Sequence, residues 1–75
     1  MKALLLALAR ELVREPRRVS VSEELEDGVR YLSLRVAPLD RGRVIGRGGR
    51  TADALRAVLS AVAAQRGSEC DVEVE

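Results

Sequence analysis

The chain has 75 residues, 47% hydrophobic and 33% charged, with a formal net charge of +1. That length holds one domain near the lower limit for an unaided core, and the composition is globular, not that of a disordered tail. A net charge so close to zero excludes a bulk polycation, so any attraction for nucleic acid must come from local patterning.

Residues 2–15 hold helix formers. Leu5, Leu8 and Leu12 lie on one stripe, widened by Leu4, Ala9 and Val13, and Pro16 is expected to stop the helix. The start MKALLLALA imitates a signal peptide, but Arg10, Glu11, Arg14 and Glu15 follow at once. The apolar run is also too short to cross a bilayer. The expectation is a folded helix in a soluble cytoplasmic protein with no membrane partner.

Residues 17–38 read as two strands. Val19 and Val21 alternate with Ser20 and Ser22, while Leu32, Leu34 and Val36 alternate with Tyr31, Ser33 and Arg35. Asp27-Gly28 signals a two-residue hairpin turn. Centring the turn there sets Val21 opposite Leu34, Val19 opposite Val36, Glu23 opposite Leu32, Ser22 opposite Ser33 and Ser20 opposite Arg35. One face is then mainly apolar and the other polar. After Pro38, LDRGRVIG forms a short helical turn with Leu39, Val44 and Ile45 as its apolar contacts. A longer helix runs from about Arg50 to Arg66 with Leu55, Val58, Leu59 and Val62 as its core stripe, and Gly67 ends it. ECDVEVE alternates Cys70, Val72 and Val74 with acids and reads as a third strand. The fold class is α+β: a two-layer domain over 1–75, with a three-stranded sheet packed on three helices in the order α-β-β-α-α-β.

GRVIGRGGRTADALR, residues 42–56, packs four glycines among four arginines at the entry to the long helix. Phosphate loops need outward backbone N–H groups unobstructed by side chains, and a helix N-terminus adds unpaired donors and a partial positive charge. Gly46, Gly48 and Gly49 supply close approach, and Arg43, Arg47 and Arg50 supply charge. The spacing of a Walker A loop is absent, the only Lys being Lys2, and the dinucleotide pattern fails because position 51 is Thr. What remains is G-x-x-G, Gly46 to Gly49, between two helices and preceded by Val44-Ile45.

In that setting VIGRGGRT resembles the signature of the KH domain, and the element order resembles its bacterial type II form. Over essentially the whole chain the sequence is similar to small bacterial single-KH proteins. The resemblance implies that the loop clamps the backbone of about four nucleotides of single-stranded RNA. Gly46, Arg47, Gly48 and Gly49 would touch that backbone, while Ile45 and Val44 hold the loop and line an apolar groove. It also implies no cofactor, and a cytoplasmic RNA chaperone or post-transcriptional regulator acting with a larger KH-containing partner in cell elongation and cell-wall synthesis. A ribosome-associated assembly factor and a protein-interaction module that has lost its RNA are the alternatives. Ala52 departs from the family pattern, which places a large aliphatic residue there.

Arg47 and Arg50 are read as phosphate contacts. Arg43 divides between that role and solvating the short helix. Arg17 and Arg18 read as a solvated strand entrance, Arg56 as an exposed-face residue and Tyr31 as a surface strand residue. Cys70 reads as a small buried residue, with no His to activate it. Asp40 and Asp53 lack any partner constellation for acid–base or metal chemistry, so no catalysis is expected. Ala54, Ala57, Ala61 and Ala64 form a stripe of small residues beside the core face, a candidate interface for a homodimer or a heterodimer with the larger KH partner.

Overall fold

A computed structural model describes all residues, 1–75. Six main elements follow in chain order: α1 (Lys2–Leu12), β1 (Ser20–Glu26), β2 (Val29–Arg35), α2 (Arg41–Ile45), α3 (Arg50–Gln65) and β3 (Glu69–Val74). Short 3-10 turns occupy Pro16–Arg18, Pro38–Asp40 and Arg47–Gly49. The sheet order is β1-β2-β3, with β1 antiparallel and β3 parallel to the central β2. The architecture is therefore the expected three-stranded α+β domain in the order α-β-β-α-α-β.

The hairpin takes the expected register, with Val21 opposite Leu34, Ser22 opposite Ser33 and Glu23 opposite Leu32. Asp27 and Gly28 turn the chain with φ of 50° and 80°. Two consecutive positive φ values are what a type I′ turn needs to match strand twist. Glu23 is the one acid that this register puts on the apolar face. There the hairpin overhangs the helices: Leu25, on the same face, is 68% exposed, and Arg30 meets Glu23 at 2.8 Å. Farther in, Val21, Leu32, Leu34 and Val72 pack with Leu5, Ala9, Val44, Leu55 and Leu59 in one core. Fully burying a side chain such as Leu59 stabilises the fold by about 1.5–3 kcal/mol.

The helices depart from expectation in three places. The buried face of α3 is Ala52, Leu55, Leu59 and Ala63. Val58, expected in the core, is 45% exposed, and Val62 is only half-buried. Small alanines at 52 and 63 let the helix sit close to the sheet, which turns the two valines toward its flank. Leu39, expected to pack, is 91% exposed at the tip of the Pro38–Asp40 turn. Finally, α1 ends at Leu12, before Pro16 can stop it, and Val13 is already extended.

The early end of α1 has a tertiary cause. Asp40 is buried, 2% exposed, and its carboxylate accepts the backbone N–H groups of Arg14 and Glu15, each at 3.0 Å. One side chain thus ties the chain leaving α1 to the residue that opens α2. At the other end of the molecule, Gly67 ends α3 as expected. Its φ is 71°, and the N–H groups of Gly67 and Ser68 donate to Ala64 and Ala63. The short turn sends β3 back alongside α3, toward the glycine corner.

Candidate nucleic-acid interface

Three glycines shape the corner in two different ways. Gly46 has φ 77° and ψ 170°, a combination essentially closed to other residues. A Cβ there would also run into the Thr51 hydroxyl, and would lie 2.8 Å from Thr51 Cβ and 2.9 Å from Thr51 N. Gly46 therefore lets the loop fold onto the first turn of α3, rather than opening a path from outside. Gly48 and Gly49 have φ of 64° and 79°, and a Cβ on either would meet nothing within 4 Å. Their outer faces are open to a ligand, and glycine is needed there only for the left-handed backbone.

The loop is held by its own backbone. Gly46 N–H donates to the Gly42 carbonyl at 2.9 Å, and Gly49 N–H to that of Gly46 at 3.1 Å. Val44 is fully buried, so it anchors the loop without lining a groove, and Ile45 is half-buried. Gly49 is the N-cap of α3, and no side chain caps the first turn. Its donors and partial positive charge are left for another partner. Ala52 is buried, so its small size borders the core and not the open corner.

The arginines separate by their partners. Arg47 and Arg50 are exposed and pair with no acid. Arg43 lies 3.7 Å from Asp40, a long contact that leaves most of its reach free. Of the two acids near the corner, Asp40 is spent on Arg14 and Glu15, and Asp53 is paired with Arg56 at 3.0 Å. Arg56 is more constrained than an exposed-face residue, because its Nε also donates to the Val72 carbonyl at 2.9 Å. The Asp53/Arg56 spacing of three marks their ion pair on one flank of α3, but it carries no sign of the contact with β3.

Charge is segregated across the molecule. The face of the sheet away from the helices carries Glu24, Glu26, Asp71 and Glu73 around Tyr31, with Arg35 bound to Glu75 at 2.8 Å. The near-neutral total hides a basic corner and an acidic sheet. A polyanion is repelled by the second and attracted by the first.

Tyr31 is 43% exposed and opposite Glu24, as expected of a surface strand residue. Cys70 is half-buried, and desolvation together with the Asp71 charge pushes its thiol up from the ordinary value, so it is a poor nucleophile. No group of His, Cys, Asp or Glu is placed to hold a metal ion, and no helix is long and apolar enough to cross a membrane. Ala54, Ala57, Ala61 and Ala64 are all exposed. They share their face with Val58, across from Leu8 and Leu12, and Ala54, Leu55, Val58, Leu8 and Leu12 line an apolar groove of about 270 Å³ between α1 and α3.

A three-stranded mixed sheet, helices on one face and a G-x-x-G turn between two of those helices define a KH-like domain of the type II order. Residues 2–74 match the family described as KhpA/KhpB, KH domain. The RNA-binding protein KhpA of Clostridium acetobutylicum is 43% identical over 74 residues, 99% of each chain. That of Clostridium perfringens is 40% identical over the same share of each, and that of Treponema pallidum 48% identical over 60 residues, 80% of this chain and 75% of its own. The chain belongs to the KhpA/KhpB KH-domain family.

Proposed function

We propose that this chain is a non-enzymatic, single-stranded RNA-binding protein that grips the phosphate backbone at Gly46–Arg50. The observation that carries this reading is the pair of acid-free arginines, Arg47 and Arg50, flanking two open glycines at the uncapped start of α3. The relatives' name, RNA-binding protein, agrees with it. Phosphate oxygens meet the guanidinium groups of Arg47 and Arg50, with Arg43 at the margin. Gly48 and Gly49 let the backbone approach without obstruction, and Gly46 and Ile45 hold the turn in shape. Such a site contacts two or three phosphates. Binding of a labelled single-stranded oligonucleotide, followed by fluorescence anisotropy, should therefore weaken by about tenfold between 50 and 200 mM salt as counterions are released. Binding that ignores salt, or no binding at low salt, contradicts the clamp.

The finer role follows the family. The chain acts as an RNA chaperone or post-transcriptional regulator in the cytoplasm, with a KhpB/Jag-type partner, in cell-wall and cell-shape homeostasis. The pairing surface in this reading is the Ala54/Ala57/Ala61/Ala64 face, supported by the exposed Val58 and Leu12 beside it. Pairing there places two clamps on one particle and raises avidity for long RNA. An Ala61→Asp variant should sediment as a folded monomer where the parent is a dimer. A carboxylate desolvated in an interface costs several kcal/mol, against a few tenths on open surface. A variant that still runs as a dimer moves the interface elsewhere.

A further inference from the structure

The short α2 separates the glycine corner from the chain that leaves α1, and a buried carboxylate joins the two. Asp40 Oδ1 accepts the Arg14 N–H at 3.0 Å and lies 3.7 Å from Arg43 Nε, so the Arg43 side chain and the Arg14 main chain meet at one oxygen. Asp40 Oδ2 accepts the Glu15 N–H at 3.0 Å. The carboxylate is thus occupied by main-chain donors, and it holds residues 14 and 15 against the start of α2. The Arg14 side chain is left exposed with no acid partner. Arg17, in the turn that follows, is also exposed and unpaired, while Arg18 shares Glu15 at 3.9 Å.

The surfaces that border the corner differ in charge. Toward the sheet, the chain ends β3 through Glu73 and Glu75, with the Glu75 carboxylate bound to Arg35 and its carbonyl to Arg41. Toward α1, the groove beside α3 is apolar and has Glu11 as its one charged residue. Across α2 the cations continue, from Arg47 through Arg43 to Arg14 and Arg17. The helix between them has five residues. It is therefore about 7.5 Å long, within a Debye length of about 8 Å at physiological salt, so cations at its two ends act on one strand.

We propose that single-stranded RNA reaching past the Gly46–Arg50 clamp is held a second time, by its phosphates, on Arg14 and Arg17 across α2. The proposal rests on the RNA-binding reading above and makes the binding site longer than the loop. Asp40 is the positioning residue, because it fixes the segment that carries Arg14 beside α2 without neutralising either new cation.

The test compares an oligouridine of about four nucleotides, the length that a KH loop clamps, with one of about ten, by anisotropy over a salt series. An Arg14→Gln/Arg17→Gln variant should bind the longer strand about tenfold more weakly at low salt and the shorter one within about twofold of the parent. Two lost phosphate contacts should also lower the salt slope for the longer strand by about 1.4 and leave that for the shorter one unchanged. Lys2 and Arg66 are exposed and unpaired at the far end of the helical layer, where α1 begins and α3 ends. A Lys2→Gln/Arg66→Gln variant removes the same charge there, and should keep both affinities within about twofold and both slopes. Arg14→Lys/Arg17→Lys keeps the charge and should keep the parent slope. Should the glutamine double variant unfold, Arg17→Gln alone, outside the Asp40 contact, should lower the longer strand's slope by about 0.7. A folded Arg14→Gln/Arg17→Gln variant with the parent's slope and affinity for the longer strand overturns the proposal. So does an equal loss for both lengths, or an equal loss in the Lys2→Gln/Arg66→Gln variant. A parent that binds neither strand overturns the RNA-binding reading itself.

Discussion

An Arg47→Asp/Gly48→Asp double variant should lose single-stranded RNA binding by about 2 kcal/mol or more, roughly thirtyfold, and keep its fold. One cation becomes an anion and a second anion appears beside it, where phosphates are to sit. The fold survives because neither position carries internal contacts that matter. Arg47 is exposed and unpaired, and a Cβ at Gly48 meets nothing within 4 Å. The remaining cost is a left-handed backbone at 48, about 1 kcal/mol and less for Asp than for most residues. Anisotropy and a thermal melt on the same sample separate the two effects. A folded double variant with unchanged affinity would sink the clamp. Gly46 behaves oppositely: any side chain there strikes Thr51, so its replacement disturbs the corner from within.

Asp40→Ala should cost about 2–3 kcal/mol of stability, since two main-chain donors lose a charged acceptor. A domain of this length has about 4–11 kcal/mol in total. The melting temperature should therefore fall by about 10–20 °C. The loss is more than two hydrogen bonds. Asp40 opens α2, and α2 carries the glycine corner, so freeing the chain after α1 also loosens the platform of the loop. RNA affinity should fall together with stability, whereas the loop double variant loses affinity alone. A melting temperature within a few degrees of the parent would show that Arg14 and Glu15 find solvent partners at no cost.

The parts legible in the sequence are those fixed by local chemistry. Asp27-Gly28 sets the hairpin register residue by residue, and the cluster at 46–50 marks the corner. Illegible were the parts decided by tertiary contact. Hydropathy alone pulls the core stripe of α3 toward Val58 and Val62, because Ala52 and Ala63 carry little weight although they are the buried residues. Asp40 looks like any surface acid until the end of α1 is brought to it across 26 residues of sequence. Arg56 reads as solvent-facing because nothing local reveals that β3 returns beside it. Gly46 was legible as a glycine with a purpose, but its crowding against Thr51 appears only once the turn is built.

The central claim is that RNA is held at Gly46–Arg50, and backbone amide NMR during a titration with single-stranded RNA tests it most directly. The largest shifts should fall on the amides of Gly46 to Arg50 and the first turn of α3, with the acidic sheet residues Glu24 and Glu73 unmoved. Loop amides that stay still while shifts concentrate on the sheet face, or in the apolar groove between α1 and α3, would contradict the account.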